Sequence, residues 1–166
     1  MKLRRIFLYV FLSSIILYAS VCTYMYVFQR NFLYHPDKNN YLRSEKLNAD
    51  TKEISVPSTE GIALKAWFYK NPQNKYTVLF FHGNAGGLGN RIYKLNELKN
   101  LNLNYLIISW RGFSGNKGSP TEQGLYSDAR SALKWLEKNN ISKNKIILYG
   151  ESLGTGVAVE VGQNQK

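Results

Sequence analysis

A serine framed by two glycines is the residue of this sequence best placed to do chemistry. The pentapeptide at 150–154, Gly-Glu-Ser-Leu-Gly, fits the pattern G-x-S-x-G and follows an apolar run at 146–149. In this pattern, the nucleophile elbow, the serine lies on a strained turn between a strand and a helix, and small flanking residues allow close approach to neighbouring backbone. Ser152 is therefore the candidate nucleophile. The alternative is a glycine-rich turn whose serine only caps the next helix.

A second glycine-rich segment could supply hydrogen-bond donors to the same reaction. The apolar run at 77–81 has the character of a strand buried on both faces, and His-Gly-Asn-Ala-Gly-Gly follows it at 82–87. Such a segment can turn backbone N–H groups toward an anion or a developing oxyanion. It lacks the G-K-S/T ending of a phosphate-binding loop. We interpret His82 as a hydrogen-bonded structural histidine rather than a proton-transfer group.

Strands and helices alternate around these two segments. Hydrophobic periodicity predicts strands at 53–56, 62–69, 77–81, 105–109 and 145–149, and helices at 90–101, across 125–136 and after Ser152. The first two strands, separated by a turn at 57–61, predict an antiparallel hairpin at a sheet edge. The later alternation predicts right-handed crossovers in a parallel sheet with helices on both faces.

The amino-terminal segment predicts a membrane span. Residues 6–28 carry no charge, and about 20 apolar residues suffice to cross a bilayer. A cleaved signal peptide and a buried soluble helix are the alternatives, but the long apolar run favours an uncleaved signal-anchor. The predicted organisation is a basic flank at 1–5, the anchor at 6–28, a polar tether at 29–50 and a domain at 51–166.

Charge helps to predict location and partners. Three basic residues crowd the short flank at 1–5, which favours a cytoplasmic amino terminus with the domain on the outer side of a single-pass protein. The net charge is +11, and the +7 that remains without Lys2, Arg4, Arg5 and Arg30 is spread without a clustered basic patch, so we expect no nucleic-acid partner. Cys22 is the only cysteine, which excludes an intramolecular disulfide. No cofactor and no metal are expected.

Five stretches of the sequence together resemble the α/β-hydrolase family, in particular its membrane-anchored abhydrolase-domain serine hydrolases. They lie at 29–36, 82–86, 111–115, 118–126 and 150–154. The resemblance covers nearly the whole chain but only about the first half of such a protein. It implies a partial α/β-hydrolase fold, in which a mostly parallel sheet with antiparallel first strands carries helices on both faces and follows one transmembrane helix.

The resemblance also implies roles for particular residues. Ser152 matches the nucleophile of the family, and the backbone N–H groups of Asn84 and Leu153 match its oxyanion hole. The sequence departs from the family at Ser109-Trp110, where relatives commonly have an acidic residue and an aromatic one. This departure concerns only the packing of the local loop.

The catalytic triad of this fold runs from serine to acid to histidine, and here its later members are missing. Only 14 residues follow Ser152, with Glu160 as the later carboxylate and no later histidine. His35 in the tether and His82 are poor substitutes.

Three functional hypotheses therefore stand. The first is a membrane-anchored hydrolase of esters, thioesters or amides, with the bilayer, an acyl-containing small molecule or lipid substrate and a complementing carboxyl-terminal fragment as partners. The second is a truncated, catalytically silent remnant or one half of a split hydrolase. The third is a single-span membrane protein with a binding domain.

Overall fold

The computed structural model describes residues 2–37 and 47–163, and it begins with a long helix, α1 (Lys2–Leu33). Within the described residues, α1 is the one helix long and apolar enough to cross a membrane. The hydroxyls of Ser14, Ser20 and Thr23 donate to carbonyls four residues earlier, at 2.8–2.9 Å. These three hydroxyls are therefore satisfied inside the helix. The helix continues past residue 28 to Leu33, so the polar residues at 29–31 remain helical.

A second compact unit begins at Tyr34. The Tyr34 side chain is buried in the main core, and a two-residue strand, β1 (His35–Pro36), follows it. The first part of the predicted tether is thus regular structure, and its residues 38–46 lie outside the described residues.

Between Tyr34 and residue 163, the described residues form seven strands in two sheets. The other six are β2 (Lys52–Pro57), β3 (Ala63–Tyr69), β4 (Thr77–Phe81), β5 (Ala85–Gly86), β6 (Asn104–Ile108) and β7 (Ile146–Gly150). The main sheet has the order β2-β3-β6-β4-β7, and β1 pairs with β5 separately. Strand β3 is antiparallel to both β2 and β6, whereas β4 runs parallel to β6 and β7. The predicted mostly parallel sheet with antiparallel first strands is confirmed.

Helices cover both faces of the main sheet, as the sequence predicts. They are α2 (Ile92–Asn100), α3 (Glu122–Lys138) and α4 (Leu153–Gln163). Successive strand residues point to opposite faces, so alternate residues of β4 and β6 enter two different cores. Leu79 and Phe81 pack with α3 and α4, and Phe80 packs with α2. Every residue of β4 and β6 is consequently buried, which explains their continuous apolar sequences.

Strand β7 forms one edge of the main sheet, and alternate side chains on it remain accessible to solvent. Ile147 and Tyr149 are 42% and 40% exposed, although Tyr149 also makes an edge-to-face contact with the Phe80 ring at 4.8 Å between centroids. The candidate nucleophile follows directly after this strand. The site therefore lies at a sheet margin where β7 has one neighbour, β4, among the described strands.

A buried ion pair joins the loop after β6 to α3. Arg111 Nη2 lies 2.8 Å from Asp128 Oδ1, and the Arg111 backbone N–H donates to Asp128 Oδ2 at 3.0 Å. Ser58 Oγ, from the β2–β3 turn, donates to the same carboxylate at 2.7 Å. Arg111 also reaches the exposed carboxylate of Glu60 at 3.1 Å. Three segments far apart in the sequence are thus joined by hydrogen bonds to one carboxylate.

We expect Asp128→Asn to lower the free energy of unfolding by about 3–5 kcal/mol, because the substitution leaves the buried Arg111 charge without its main partner. Denaturant unfolding of the full chain in detergent, followed by tryptophan fluorescence, measures this, because all three tryptophans belong to the second unit.

Glu60→Gln is the matched control, because the Glu60 side chain is 71% exposed. It should cost less than about 1 kcal/mol. Equal losses for the two variants would show that burial does not set the strength of this network.

Candidate active site

The turn between β7 and α4 has the geometry of a nucleophile elbow. Strand β7 ends at Gly150 and α4 begins at Leu153, so two residues make the reversal. Ser152 is exposed and has φ +51°, in the left-handed region that residues with a side chain seldom occupy. Such a conformation costs on the order of 1–3 kcal/mol and persists only where the surroundings impose it. A helix-capping residue ordinarily has extended backbone, so this φ argues against the simple capping alternative.

Both glycines of the motif are required by close backbone contacts. A Cβ atom at Gly150 would lie 2.5 Å from the Gly154 carbonyl oxygen and from the Thr155 nitrogen. A Cβ atom at Gly154 would lie 2.6 Å from the Phe81 carbonyl carbon and closer still to its oxygen. Separations this short do not occur between real Cβ atoms and backbone. The turn therefore needs glycine at both positions, as the motif predicts.

The pairing of β4 with β7 brings the second glycine-rich segment beside the elbow. Phe81, the last residue of β4, is the register partner of Gly150, and its carbonyl accepts the Glu151 N–H at 2.9 Å. Asn84 is therefore carried to the same carboxyl edge of the sheet as Ser152. Leu153, whose N–H is the first of α4, directly follows the serine. The three residues that the sequence singles out, Ser152, Asn84 and Leu153, come from two adjacent segments.

The loop that contains Asn84 is also paired with the start of the second unit. Strand β1 runs parallel to β5, with His35 opposite Ala85 and Pro36 opposite Gly86. The His35 N–H donates to the Asn84 carbonyl at 2.9 Å. We call Tyr34–Asp37 the strap. Because the carbonyl of Asn84 accepts this hydrogen bond, the peptide plane between Asn84 and Ala85 has a defined orientation.

A cluster of charged side chains, which the sequence reasoning did not identify, connects this loop to the elbow. Glu151 lies 2.7 Å from Arg91 and 2.6 Å from Lys94. Burial acts to raise the pKa of Glu151, but hydrogen bonds from Lys94 and Arg91 outweigh it, so the pKa lies below its ordinary value. The carboxylate next to the candidate nucleophile is thus ionised and paired. Both basic residues fall within the helix predicted at 90–101, but the sequence gives no signal that they lie beside Glu151.

His82 is a neutral, structural histidine, in agreement with the interpretation from sequence. Its Nδ1 lies 2.8 Å from the Gly83 carbonyl, which makes Nδ1 the donor, and its Nε2 accepts the Trp110 N–H at 3.4 Å. Complete burial, followed by the nearby charge of Arg91, lowers the pKa of His82 to about 3. Both ring nitrogens are therefore occupied, and the ring has little capacity to accept another proton.

In the Ser109-Trp110 pair, which departs from the usual pattern, the tryptophan packs against this histidine. Trp110 is fully buried, stacks on Phe81 at 5.7 Å between centroids and donates from Nε1 to the His82 carbonyl at 3.0 Å. Ser109 Oγ donates to Ser114 Oγ at 2.8 Å. The loop after β6 is therefore well packed without an acidic residue at this position.

Glu160 lies on α4, where it faces Arg130 of α3 at 3.5 Å. It thus serves the contact between two helices. Within residues 2–37 and 47–163, no group of three or more His, Cys, Asp or Glu side chains could hold a metal ion.

Comparisons with known proteins agree with this geometry. No family model matches the chain. Protein bem46 of Schizosaccharomyces pombe is 32% identical over 146 residues, which are 82% of this chain and 49% of the relative. The alpha/beta hydrolase domain-containing protein WAV2 of Arabidopsis thaliana is also 32% identical over 146 residues, 82% of this chain and 47% of that protein. The chain spans about half the length of the relatives it matches.

Solved structures show the same fold. An alpha-beta hydrolase from Vibrio vulnificus superposes with a TM-score of 0.63 at 25% identity, over 71% of this chain and 42% of that one. The Pyrococcus furiosus esterase Pf2001 also superposes with a TM-score of 0.63, at 20% identity, over 81% of this chain and 52% of the esterase. Together with the mixed sheet and the elbow, these similarities show that the chain belongs to the α/β-hydrolase family.

Proposed function

We propose that this chain carries the nucleophile of a membrane-anchored serine hydrolase that cleaves an ester, thioester or amide. The observation that carries the proposal is the exposed Ser152, held at φ +51° between two obligatory glycines at the carboxyl edge of the sheet. A strained, exposed serine in this position suits a group that must meet a substrate. The esterase and hydrolase names among the structural neighbours support the same class of reaction.

In the proposed reaction, Ser152 Oγ attacks the substrate carbonyl carbon while its proton passes to a general base. The carbonyl oxygen becomes an oxyanion that accepts hydrogen bonds from the backbone N–H groups of Asn84 and Leu153. Each donor stabilises the tetrahedral intermediate by about 3–4 kcal/mol. The bond to the leaving group then breaks as that group takes the proton, which leaves an acyl-enzyme for water to hydrolyse.

The general base of this reaction has no candidate among the described histidines. His82 is buried with both nitrogens engaged, and His35 belongs to β1. We therefore propose that a complementing carboxyl-terminal fragment supplies the acid and the histidine. The edge position of β7 supports this proposal, because a further strand beside Ile147 and Tyr149 would cover their exposed apolar surface.

The alternative is that the 166 residues are catalytically silent by themselves, as a remnant or as one half of a split hydrolase. The same observation favours it, since a serine hydroxyl is a poor nucleophile until a base takes its proton. A remnant would stay silent when a carboxyl-terminal fragment is added, whereas one half of a split hydrolase would gain activity at Ser152.

We also propose that α1 is a signal-anchor with a cytoplasmic amino terminus and that the domain lies on the outer side. Its length, its apolar surface and the basic residues at 2–5 support this arrangement. An anchored enzyme would meet acyl groups carried by lipids as well as by dissolved small molecules. Both are therefore candidate substrates.

The reaction is tested with a fluorophosphonate probe and a short-chain aryl ester. We expect the chain alone to show little labelling and little hydrolysis, and we expect both to rise when a fragment encoded downstream is added. Ser152→Ala should abolish the gain, whereas Ser142→Ala, at an exposed serine before β7, should preserve it. Strong labelling of the lone chain that Ser152→Ala removes would mean that the described residues contain a base after all.

The structural role of His82 is tested by the pH dependence of stability. Its folded pKa of about 3 lies below the ordinary value of 6.5, so the unfolded state binds more protons between these values. The stability that neutral His82 contributes is thus complete above about pH 6.5 and is lost as the pH falls toward about 3, by up to about 1.4 kcal/mol per pH unit.

Denaturant unfolding between about pH 7 and pH 5 should show this loss before most carboxylates titrate. His82→Asn should remove the contribution of the histidine to the slope of unfolding free energy against pH. A wild-type slope equal to that of the variant would contradict a neutral, buried His82.

The anchor is tested by fractionation. We expect the full chain to remain with membranes after carbonate washing, because an uncharged span is held by the bilayer core. Recovery of the full chain with soluble marker proteins would contradict the anchor. Added protease should degrade the domain in intact cells, and protection of the domain would reverse the proposed orientation.

A further inference from the structure

The loop that contains Asn84 is organised from its inner side by one guanidinium group. Arg91 is only 7% exposed, and its Nη1 donates to the Ala85 carbonyl at 2.8 Å and to the Gly87 carbonyl at 3.2 Å. These two carbonyls flank Gly86, whose φ of +75° lets the loop curl around the cation. The shape of the loop therefore depends on the Arg91 side chain.

The other arm of the same guanidinium holds the elbow. Arg91 Nη2 donates to Glu151 Oε1 at 2.7 Å, and Glu151 directly precedes Ser152. The Glu151 carboxylate also packs against the loop, since a Cβ atom at Gly83 would lie 3.3 Å from its Oε1. One rigid, planar group thus spans the two segments that supply the two proposed oxyanion donors.

Arginine suits this position for a geometric reason. Its fork directs several N–H donors in fixed directions, so one side chain can bind two carbonyls and a carboxylate together. A lysine ammonium at the same position would keep the positive charge but would lose the fixed fork. The charge and the geometry of Arg91 can therefore be separated by substitution.

We propose that Arg91, acting through Glu151, is a positioning residue that sets the separation between the Asn84 N–H and the Leu153 N–H. This inference rests on the proposed function, because it assigns Arg91 a task in the oxyanion hole of that reaction. Arg91 acts only through the backbone it holds. A shift of about 1 Å in such a site can cost about a hundredfold in rate.

Lys94 provides a matched control on the same carboxylate. Its Nζ lies 2.6 Å from Glu151 Oε2, and the Lys94 side chain is 27% exposed. The Lys94 ammonium donates to Glu151, whereas the Arg91 guanidinium donates to the loop carbonyls as well. Lys94→Gln therefore removes an ion pair with Glu151 while it leaves the bridge between loop and elbow in place.

The first measurement is steady-state hydrolysis of a short-chain aryl ester by the full chain with its complementing fragment. We expect Arg91→Lys and Glu151→Gln to lower kcat by about 10- to 100-fold with KM changed less than about threefold, since the donors act mainly on the transition state. We expect Lys94→Gln to change kcat by less than about threefold. A double variant of Arg91→Lys and Glu151→Gln should lose little more than either single variant, because both break the same bridge.

The second measurement needs no activity. Amide hydrogen exchange of the full chain in detergent should quicken at residues 83–87 in Arg91→Lys and Glu151→Gln, while the β4 and β6 amides exchange as in the wild type. Lys94→Gln should leave residues 83–87 unchanged. Unchanged loop exchange in both bridge variants, or an equal effect of Lys94→Gln, would overturn the inference. If exchange changes as expected while the wild type remains inactive with its fragment, the proposed reaction fails and the positioning role stands.

Discussion

The first turn of α4 can reach the end of β4 only because residue 154 has no side chain. A Cβ atom there would overlap the Phe81 carbonyl and lie 2.9 Å from the His82 carbonyl oxygen. This contact joins helix and strand more tightly than side-chain packing allows, and Ser152, two residues before Gly154, has φ +51°. The close approach of α4 to β4 at the site therefore depends on glycine at residue 154.

Two ion pairs hold the loops that follow the strands, one in the interior and one at the edge of the sheet. The Arg111 and Asp128 pair lies in the interior and connects the β2–β3 turn, the loop after β6 and α3. The Arg91 and Glu151 pair lies at the edge of the sheet and connects the loop after β4 to the elbow. In each case a carboxylate and a guanidinium replace backbone pairing where strands have ended. These side-chain bonds thus supplement the short β1–β5 pairing in holding the loops at the carboxyl edge.

Much of the fold could be predicted from local sequence. The all-apolar runs at 77–81 and near 105–109 indicate strands buried on two faces, and the G-x-S-x-G pattern indicates its own turn, because these signals lie within a few consecutive residues. The pairing of His35–Pro36 with Ala85–Gly86 could not be predicted this way, since both strands are two residues long and about fifty residues apart. The polar residues at 29–31 indicated a tether, yet the helix continues through them to Leu33. The bridge from Arg91 to Glu151 also depends on tertiary proximity, which no spacing rule encodes.

The strap has a consequence for how the second unit could be separated from the proposed membrane anchor. Only Tyr34 separates the end of α1 from β1, and β1 completes the backbone pairing of the loop that contains Asn84. A proteolytic cut before Tyr34 would free a domain that keeps its strap and its buried tyrosine. A cut between Asp37 and Leu47 would leave the strap covalently attached to α1 and separate from the rest of the second unit. Shedding at the first position preserves the loop, whereas shedding at the second removes the covalent link that keeps β1 beside it.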